Sequence, residues 1–306
     1  MDKIFDTIII GGGPAGYTAA LYAARAGLSA LIIEKMSVGG QMALTGDIEN
    51  YPGFDEGVDG FTLGFKMQQG AEKYGAVTEY AEVLSVDFGQ NVKVIKTSNG
   101  EFFGKTVIIA SGAEPRTLGL DREAELIGRG IHYCAHCDGR FYKDKTVVIV
   151  GGGNSAASDA LYLSRLVKKV YLVHRRDTLR AAKIHHEPLK KAENIEFLWN
   201  CTVSELVADQ RVNGIKIKNT QTDQTTHLDC DAVFVSIGRK PTTEFLKGAV
   251  NLDENGYIIA DESTQTNIDG VYATGDVRTK ALRQIVTAVS DGATAVHFAE
   301  EYLNKT

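Results

Sequence analysis

Cysteine is scarce in this chain: there are four in 306 residues, and two of them stand together in "HYCAHCDG" at 132–139. That excludes a secreted scaffold built on disulfides, and in a reducing compartment so close a pair is more often catalytic or metal-binding. The lone Cys201 and Cys230 read as small buried hydrophobes. Positive charge is not in excess either. The 33 Lys and Arg against 39 Asp and Glu leave a net charge of −6, which argues against a nucleic-acid partner, because phosphate binding asks for a basic surface. No apolar run approaches the roughly 20 residues of a membrane span. The start, Met1-Asp2-Lys3-Ile4-Phe5-Asp6, lacks the positive charge and long apolar stretch of a signal peptide. The expectation is a cytoplasmic chain with neither membrane nor nucleic acid as partner. At 43% hydrophobic and 24% charged residues, it can bury a sizeable core, and its length suits two domains.

What the chain has in quantity is glycine, and its placement is informative. Asp6 to Ile10 is an apolar, β-rich run that ends in Gly11-Gly12-Gly13-Pro14-Ala15-Gly16 and opens a small-residue helical stretch, "AGYTAALYAARAG". A second strand, "ALIIE", closes the unit at Glu34. The same order returns in "TVVIVGGGNSAASDALYLSRLVKKVYLVHRR", with Gly151 in the place of Gly11. Strand, glycine turn, helix and strand, twice, imply two dinucleotide-binding domains. Shorter alternating runs, "EVLSVDF" and "VKVIKTS", then "SELVADQ" and "NGIKIKN", read as small antiparallel meanders. Each meander leads to a strand ending in glycine and then proline, "VIIASGAEP" and "VFVSIGRKP", and proline after a buried strand marks a chain leaving its domain. The expected architecture is α/β: two Rossmann-like domains, each a parallel sheet plus a β-meander. One domain comprises 1–113 with 244–306, and the second, 114–243, is inserted into it.

The two loops differ chemically. In the first, glycines permit a tight turn and close approach to a pyrophosphate at a helix N-terminus, and Glu34 would accept from a ribose hydroxyl while repelling a 2′-phosphate. In the second, Ala156 takes the third glycine's place, and the position equivalent to Glu34 holds His174, followed by Arg175, Arg176 and Arg180. Guanidiniums in place of a carboxylate suit a nucleotide with a 2′-phosphate. The alternative is a solvated helix start at "HRRDTLR". Near the end, "TNIDGVYATGDVRTKALRQIVTAV" offers a strand from Val271, Asp276 to bond a polyol chain, and Arg283-Gln284 opening a helix whose N-terminus could face an electron-rich ring. A plain strand–turn–helix with an aspartate cap reads equally well there. For Cys134 and Cys137 a metal site, a staple and a redox disulfide are all open at this point.

The order "GGGPAG", "GGQ", "ENYPGF", "CAHCDG", "GGGNSA", "HRR" and "ATGDV...RQ" resembles the low-molecular-weight, bacterial-type thioredoxin reductases over essentially the whole chain. The resemblance implies FAD in the split domain, NADPH in the inserted one, a homodimer, and rotation of the smaller domain between two working states. It implies FAD contacts at Gly11, Gly13, Pro14, Ala15, Gly16, Glu34, Lys35, Gly40, Gln41, Asn50, Ala110, Gly112, Gly275, Asp276, Arg283, Gln284 and Ile285. It implies NADPH contacts at Gly151, Gly153, Asn154, Ser155, Ala156, His174, Arg175, Arg176, Arg180, Ile237 and Gly238. For the cysteines it implies a redox disulfide, Cys137 facing the flavin and Cys134 attacking thioredoxin or a thioredoxin-like partner. Zinc would need about four ligands, and with only His132 and His136 nearby the six consecutive residues cannot wrap one ion; a staple over so short a loop removes little unfolded-state entropy.

Asp138 matches the family's general acid, a role that requires a carboxyl held protonated by its surroundings; the bland alternative is a helix cap. Arg129 matches a family position that could meet an acidic partner face. His136 departs from the family's usual threonine, and an imidazole there could favour a thiolate or simply point to solvent. No metal site is expected. The alternatives are a ferredoxin-linked or peroxiredoxin-system flavin disulfide reductase, a flavin-type ferredoxin-NADP reductase, which lacks the CxxC, and a redox-sensing flavoprotein.

Overall fold

The computed structural model describes residues 3–44, 47–89 and 91–305. Its chain divides into two compact units, Met1–Glu114 with Lys240–Thr306 and Pro115–Arg239.

In the first unit the run "IFDTIII" forms the strand Ile4–Ile10 at the centre of a parallel arrangement. It pairs with Ala30–Glu34 on one side (Ile8 opposite Leu31) and with Gly100–Ile109 on the other (Ile8 opposite Val107). Both faces of this strand are covered, which is why it is apolar without alternation. Val77–Tyr80 extends the sheet beyond Ala30–Glu34. The helix Pro14–Arg25 opens with proline in its first turn, where a missing N–H costs nothing. Its buried face is Ala15, Gly16, Ala19, Ala20 and Ala23, small enough to let the C-terminal helix Ile285–Leu303 approach: a Cβ on Gly292 would stand 2.3 Å from the Ala15 carbonyl oxygen.

The strand Gly100–Ile109 does two jobs that the sequence presents as separate. Its first half pairs antiparallel with Lys93–Thr97, which pairs in turn with Val83–Asp87 to complete the meander. Its second half, "VII", takes Val271–Ala273 as a parallel neighbour on the same edge. Ten residues of unbroken strand therefore join meander and central sheet.

The second unit repeats the plan. Thr146–Val150 lies between Lys169–His174 and Ala232–Val235, all parallel, with Ile195–Trp199 and Ile131–His132 at the two edges. The helix Asn154–Leu163 buries Ala156, Ala157, Ala160 and Leu163. The meander is a separate antiparallel sheet here, Cys201–Ala208, Val212–Asn219 and Thr225–Asp229.

The two passages of the chain between units are the short strands Ala113–Pro115 and Arg239–Pro241, which pair with each other. The return passage is thus earlier than the expected 243. The Thr242 amide donates to the Gly112 carbonyl at 3.0 Å and the Ser111 hydroxyl to the Thr242 carbonyl at 2.7 Å, so Thr242 already belongs with the first unit.

Candidate functional site

In the first unit the loop glycines gather at the carboxyl ends of the parallel strands, where open α/β sheets take their ligands. Gly11 has φ +106°, and a Cβ on it would meet the Ala110 carbonyl oxygen at 2.5 Å. Glu34 turns back onto this loop, its Oε2 accepting from the Gly12 amide at 2.7 Å and its Oε1 from the Met36 amide at 2.9 Å. A Cβ on Gly40 would lie 3.5 Å from Gly13, and one on Gly275 3.1 Å from the Ala15 methyl. Gly11 to Gly16, Glu34, Gly40, Ala110 and Gly275 are therefore one cluster. Gly112 adjoins it in sequence with φ +70° and open space at its Cβ.

Asn50 and Gln284, far apart in sequence, meet: the Asn50 amide donates to Gln284 Oε1 at 3.0 Å. Arg283 donates to the carbonyls of Asp276 and Arg278 and lies over the Tyr257 ring at 4.2 Å. The last helix begins at Ile285, and Gln284 and Thr287 cap it reciprocally. Lys35 and Gln41 are exposed; Lys35 is paired with Glu82 at 2.7 Å.

The helices after both loops start differently. Pro14–Arg25 and Asn154–Leu163 have glycine N-caps, Gly13 and Gly153, with no side-chain cap, and open space where a Cβ would stand. Helix N-termini left uncapped behind a glycine cradle fit a dinucleotide pyrophosphate.

In the second unit Gly151, at φ +153°, leaves no room for a Cβ, which would stand 2.3 Å from the Ser236 carbonyl oxygen. Asn154 Oδ1 accepts from the Ala182 amide at 2.8 Å, and Ser155 is exposed. The arginine segment is no helix start. It bends back so that the Arg180 amide donates to the Gly152 carbonyl at 2.7 Å. Arg175, Arg176 and Arg180 are exposed while His174 is buried with its Nε2 unpartnered. Burial lowers the His174 imidazole below its ordinary range, and the charges of the three arginines act in the same direction. Ile237 and Gly238 are exposed beyond the end of the neighbouring strand.

Cys134 and Cys137 form a disulfide with Cα atoms 5.3 Å apart. They sit just beyond the edge strand Ile131–His132, at the carboxyl end of the same sheet as the Gly151 loop. Cys134 is the N-cap of a single turn, Ala135–Asp138, its sulfur accepting from the Cys137 amide at 3.2 Å. Asp138 makes no side-chain cap. Instead its Oδ2 lies 3.1 Å from Nδ1 of the buried His132, whose Nε2 is 2.7 Å from the Tyr142 hydroxyl. His136 is exposed, and its ring sits against Tyr162 with centroids 4.1 Å apart.

The family model described as pyridine nucleotide-disulphide oxidoreductase matches residues 5–292. The chain belongs to that family. The oxidoreductase is 45% identical over 305 residues to a thioredoxin reductase of Listeria monocytogenes, covering 99% of this chain and 95% of the relative. It is 44% identical over 305 residues to the thioredoxin reductase of Bacillus subtilis, covering 99% and 96%. The crystal structure of the thioredoxin reductase from Streptococcus pyogenes superimposes with a TM-score of 0.93 at 43% identity, over the whole of both chains. The fold is thus the α/β one of two dinucleotide-binding domains.

The structure also shows supporting residues of this oxidoreductase that the sequence did not single out. Asp291 is buried and accepts from the Gly275 amide, the Arg278 guanidinium and Lys280, each at 2.8 Å. Burial by itself would raise the Asp291 carboxyl, but the hydrogen bonds from Arg278 and Lys280 outweigh it and hold it below the usual carboxylate range. Glu123 accepts from three successive amides, Leu118 to Leu120, and from the Tyr133 hydroxyl at 2.8 Å, fixing the residue before Cys134. Asp159, whose carboxyl burial pushes up, accepts from the Ser236 hydroxyl at 2.6 Å. None of these pairings is a motif; each links residues brought together only by the folded sheet. Among the described residues no cluster suits a metal ion, and no helix is long and apolar enough to cross a membrane.

Proposed function

We propose that the chain is an NADPH-dependent reductase of the thioredoxin disulfide, working through FAD and Cys134–Cys137. The observation that carries this reading is the closed Cys134–Cys137 disulfide at the carboxyl edge of the sheet that bears the arginine-flanked glycine loop. Relatives named thioredoxin reductase along nearly the full chain support it. FAD would lie on the Gly11–Gly16 loop with Glu34 and the 275–285 segment. NADPH would lie on the Gly151–Ala156 loop with Arg175, Arg176 and Arg180 toward its 2′-phosphate. Together the bound cofactors supply two electrons to the disulfide.

The protein's own residues do the rest. Cys134 attacks the partner's disulfide as a thiolate, Cys137 resolves the mixed disulfide, and Asp138 delivers a proton to the departing sulfur. Exposed Arg129, on the segment leading to the cysteines, offers charge to an acidic partner face. The working form in this reading is a cytoplasmic homodimer. The test is NADPH oxidation by the flavin-loaded protein with a bacterial thioredoxin disulfide as acceptor, repeated with Cys134→Ser and Cys137→Ser. Turnover in the wild type and its loss in both variants supports the reading; NADPH oxidation that yields no thioredoxin thiols contradicts it.

A further inference from the structure

Asp138 can act as an acid only if it holds a proton at working pH, and its immediate neighbour bears on that. An ordinary aspartic acid gives up its proton near about pH 4, while an imidazole keeps one to about pH 6.5. The group in contact with Asp138 is an imidazole: His132 Nδ1 lies 3.1 Å from Asp138 Oδ2, within the reach across which a proton passes. Two aromatic neighbours hold the ring. His132 sits opposite Phe234 in the sheet register and stacks on that ring at 5.2 Å. Its Nε2 meets the Tyr142 hydroxyl at 2.7 Å, and Tyr142 closes edge-on at 5.2 Å.

The hydrogen-bond pattern leaves room for a proton between the two groups. Burial pushes the Tyr142 hydroxyl above its ordinary range, against the opposing effect of the Arg211 guanidinium bonded to it, with Asp138 and Asp231 as the other charges acting on it. An arginine only donates, and the Tyr142 oxygen has two lone pairs, so it can receive from Arg211 and from the Nε2–H of His132 together. With its own N–H held there, neutral His132 presents the Nδ1 lone pair to Asp138, and one further proton fits between Nδ1 and Oδ2.

We propose that His132 is the positioning and proton-supplying partner of Asp138, the two sharing one proton and functioning as a single acid. This rests on the reductase reading above. In the step concerned, a bond forms between Cys134 sulfur and one sulfur of the partner's disulfide, and the partner's S–S bond breaks with its electron pair on the other sulfur. That thiolate takes the shared proton from the Asp138 carboxyl. The pair is left as neutral imidazole and carboxylate and regains one proton from water. Nothing in the pair is oxidised or reduced, and its apparent proton affinity belongs to both groups together.

The test compares two acceptors. The thiolate leaving from dithiobis-nitrobenzoate is a stable anion that needs no proton, whereas the thiolate leaving from a thioredoxin disulfide does need one. With flavin-loaded His132→Asn at pH 8, the rate on thioredoxin disulfide is expected to fall at least about tenfold more than the rate on the nitrobenzoate disulfide. The alkaline limb of the thioredoxin pH profile is expected to move to lower pH. Tyr142→Phe, which keeps the ring packing but removes the Nε2 partner, should change the ratio in the same direction and decides the matter if His132→Asn does not retain flavin. Equal losses on both acceptors would mean a purely structural ring and overturn the proposal, as would no loss on either. A wild-type protein that reduces neither acceptor overturns the reductase reading itself.

Discussion

The ring of His174 lies flat in the space that a side chain on Gly152 would occupy: a Cβ there would come within 2.2 Å of His174 Cε1. The middle glycine of the second loop is thus required by the residue at the end of the next strand. Gly152→Ala should displace the ring and destabilise the inserted unit by about 1–3 kcal/mol, the usual range for overpacking. It should weaken NADPH binding while flavin content stays constant. Thermal unfolding together with NADPH titration measures both, and an unchanged melting temperature would refute the close packing.

In the proposed reading, the three exposed arginines beside the buried His174 distinguish NADPH from NADH. Arg175→Ala, Arg176→Ala and Arg180→Ala should each remove a charge-assisted hydrogen bond worth about 1.5–3 kcal/mol. That is on the order of tenfold to a hundredfold in KM for NADPH, with little effect on KM for NADH. Parallel steady-state assays with the two nucleotides read this out. A variant that loses both nucleotides equally would place its arginine in the loop's structure instead.

Asp291 anchors the Gly275 turn to two buried cations. Asp291→Asn leaves Arg278 and Lys280 without a carboxylate, at an expected cost of about 3–5 kcal/mol. The pH dependence has a definite sign. Because the folded carboxyl is held below its unfolded value, its stabilising contribution is full above about pH 4 and is lost as pH falls through the folded value. Acid unfolding curves of wild type and Asp291→Asn should therefore converge at low pH and separate toward neutrality. Curves that stay parallel would show that Asp291 does not titrate with unfolding.

Both glycine loops, the strands before them and Glu34 were legible because local chemistry sets them: a turn needing positive φ, a helix needing an uncapped start, and a strand buried on both faces. The cysteine pair was legible as a pair, and its meaning came from the company of the other motifs. What surrounds it was not. His132 reads in sequence as a spare metal ligand, and only the pairing of Ile131–His132 with Ala232–Val235 turns its ring onto Phe234 and toward Asp138. His136 reads in sequence as either beside the sulfurs or in solvent; its ring packs on Tyr162, a residue of the following helix. The arginine segment, for which a solvated helix start is the alternative reading in sequence, folds back on Gly152, whose carbonyl receives its Arg180 and Ala181 amides. The double use of Gly100–Ile109 was hidden for a similar reason, since an unbroken strand carries no mark of where its partner changes.

The most direct test of a relay from nucleotide to disulfide is an anaerobic titration of the flavin-loaded protein with NADPH, counting electrons taken up per flavin. The account predicts about four in the wild type and about two in Cys134→Ser, since flavin and disulfide are each two-electron centres. About two in both proteins would contradict it, because the disulfide would then receive nothing from the flavin.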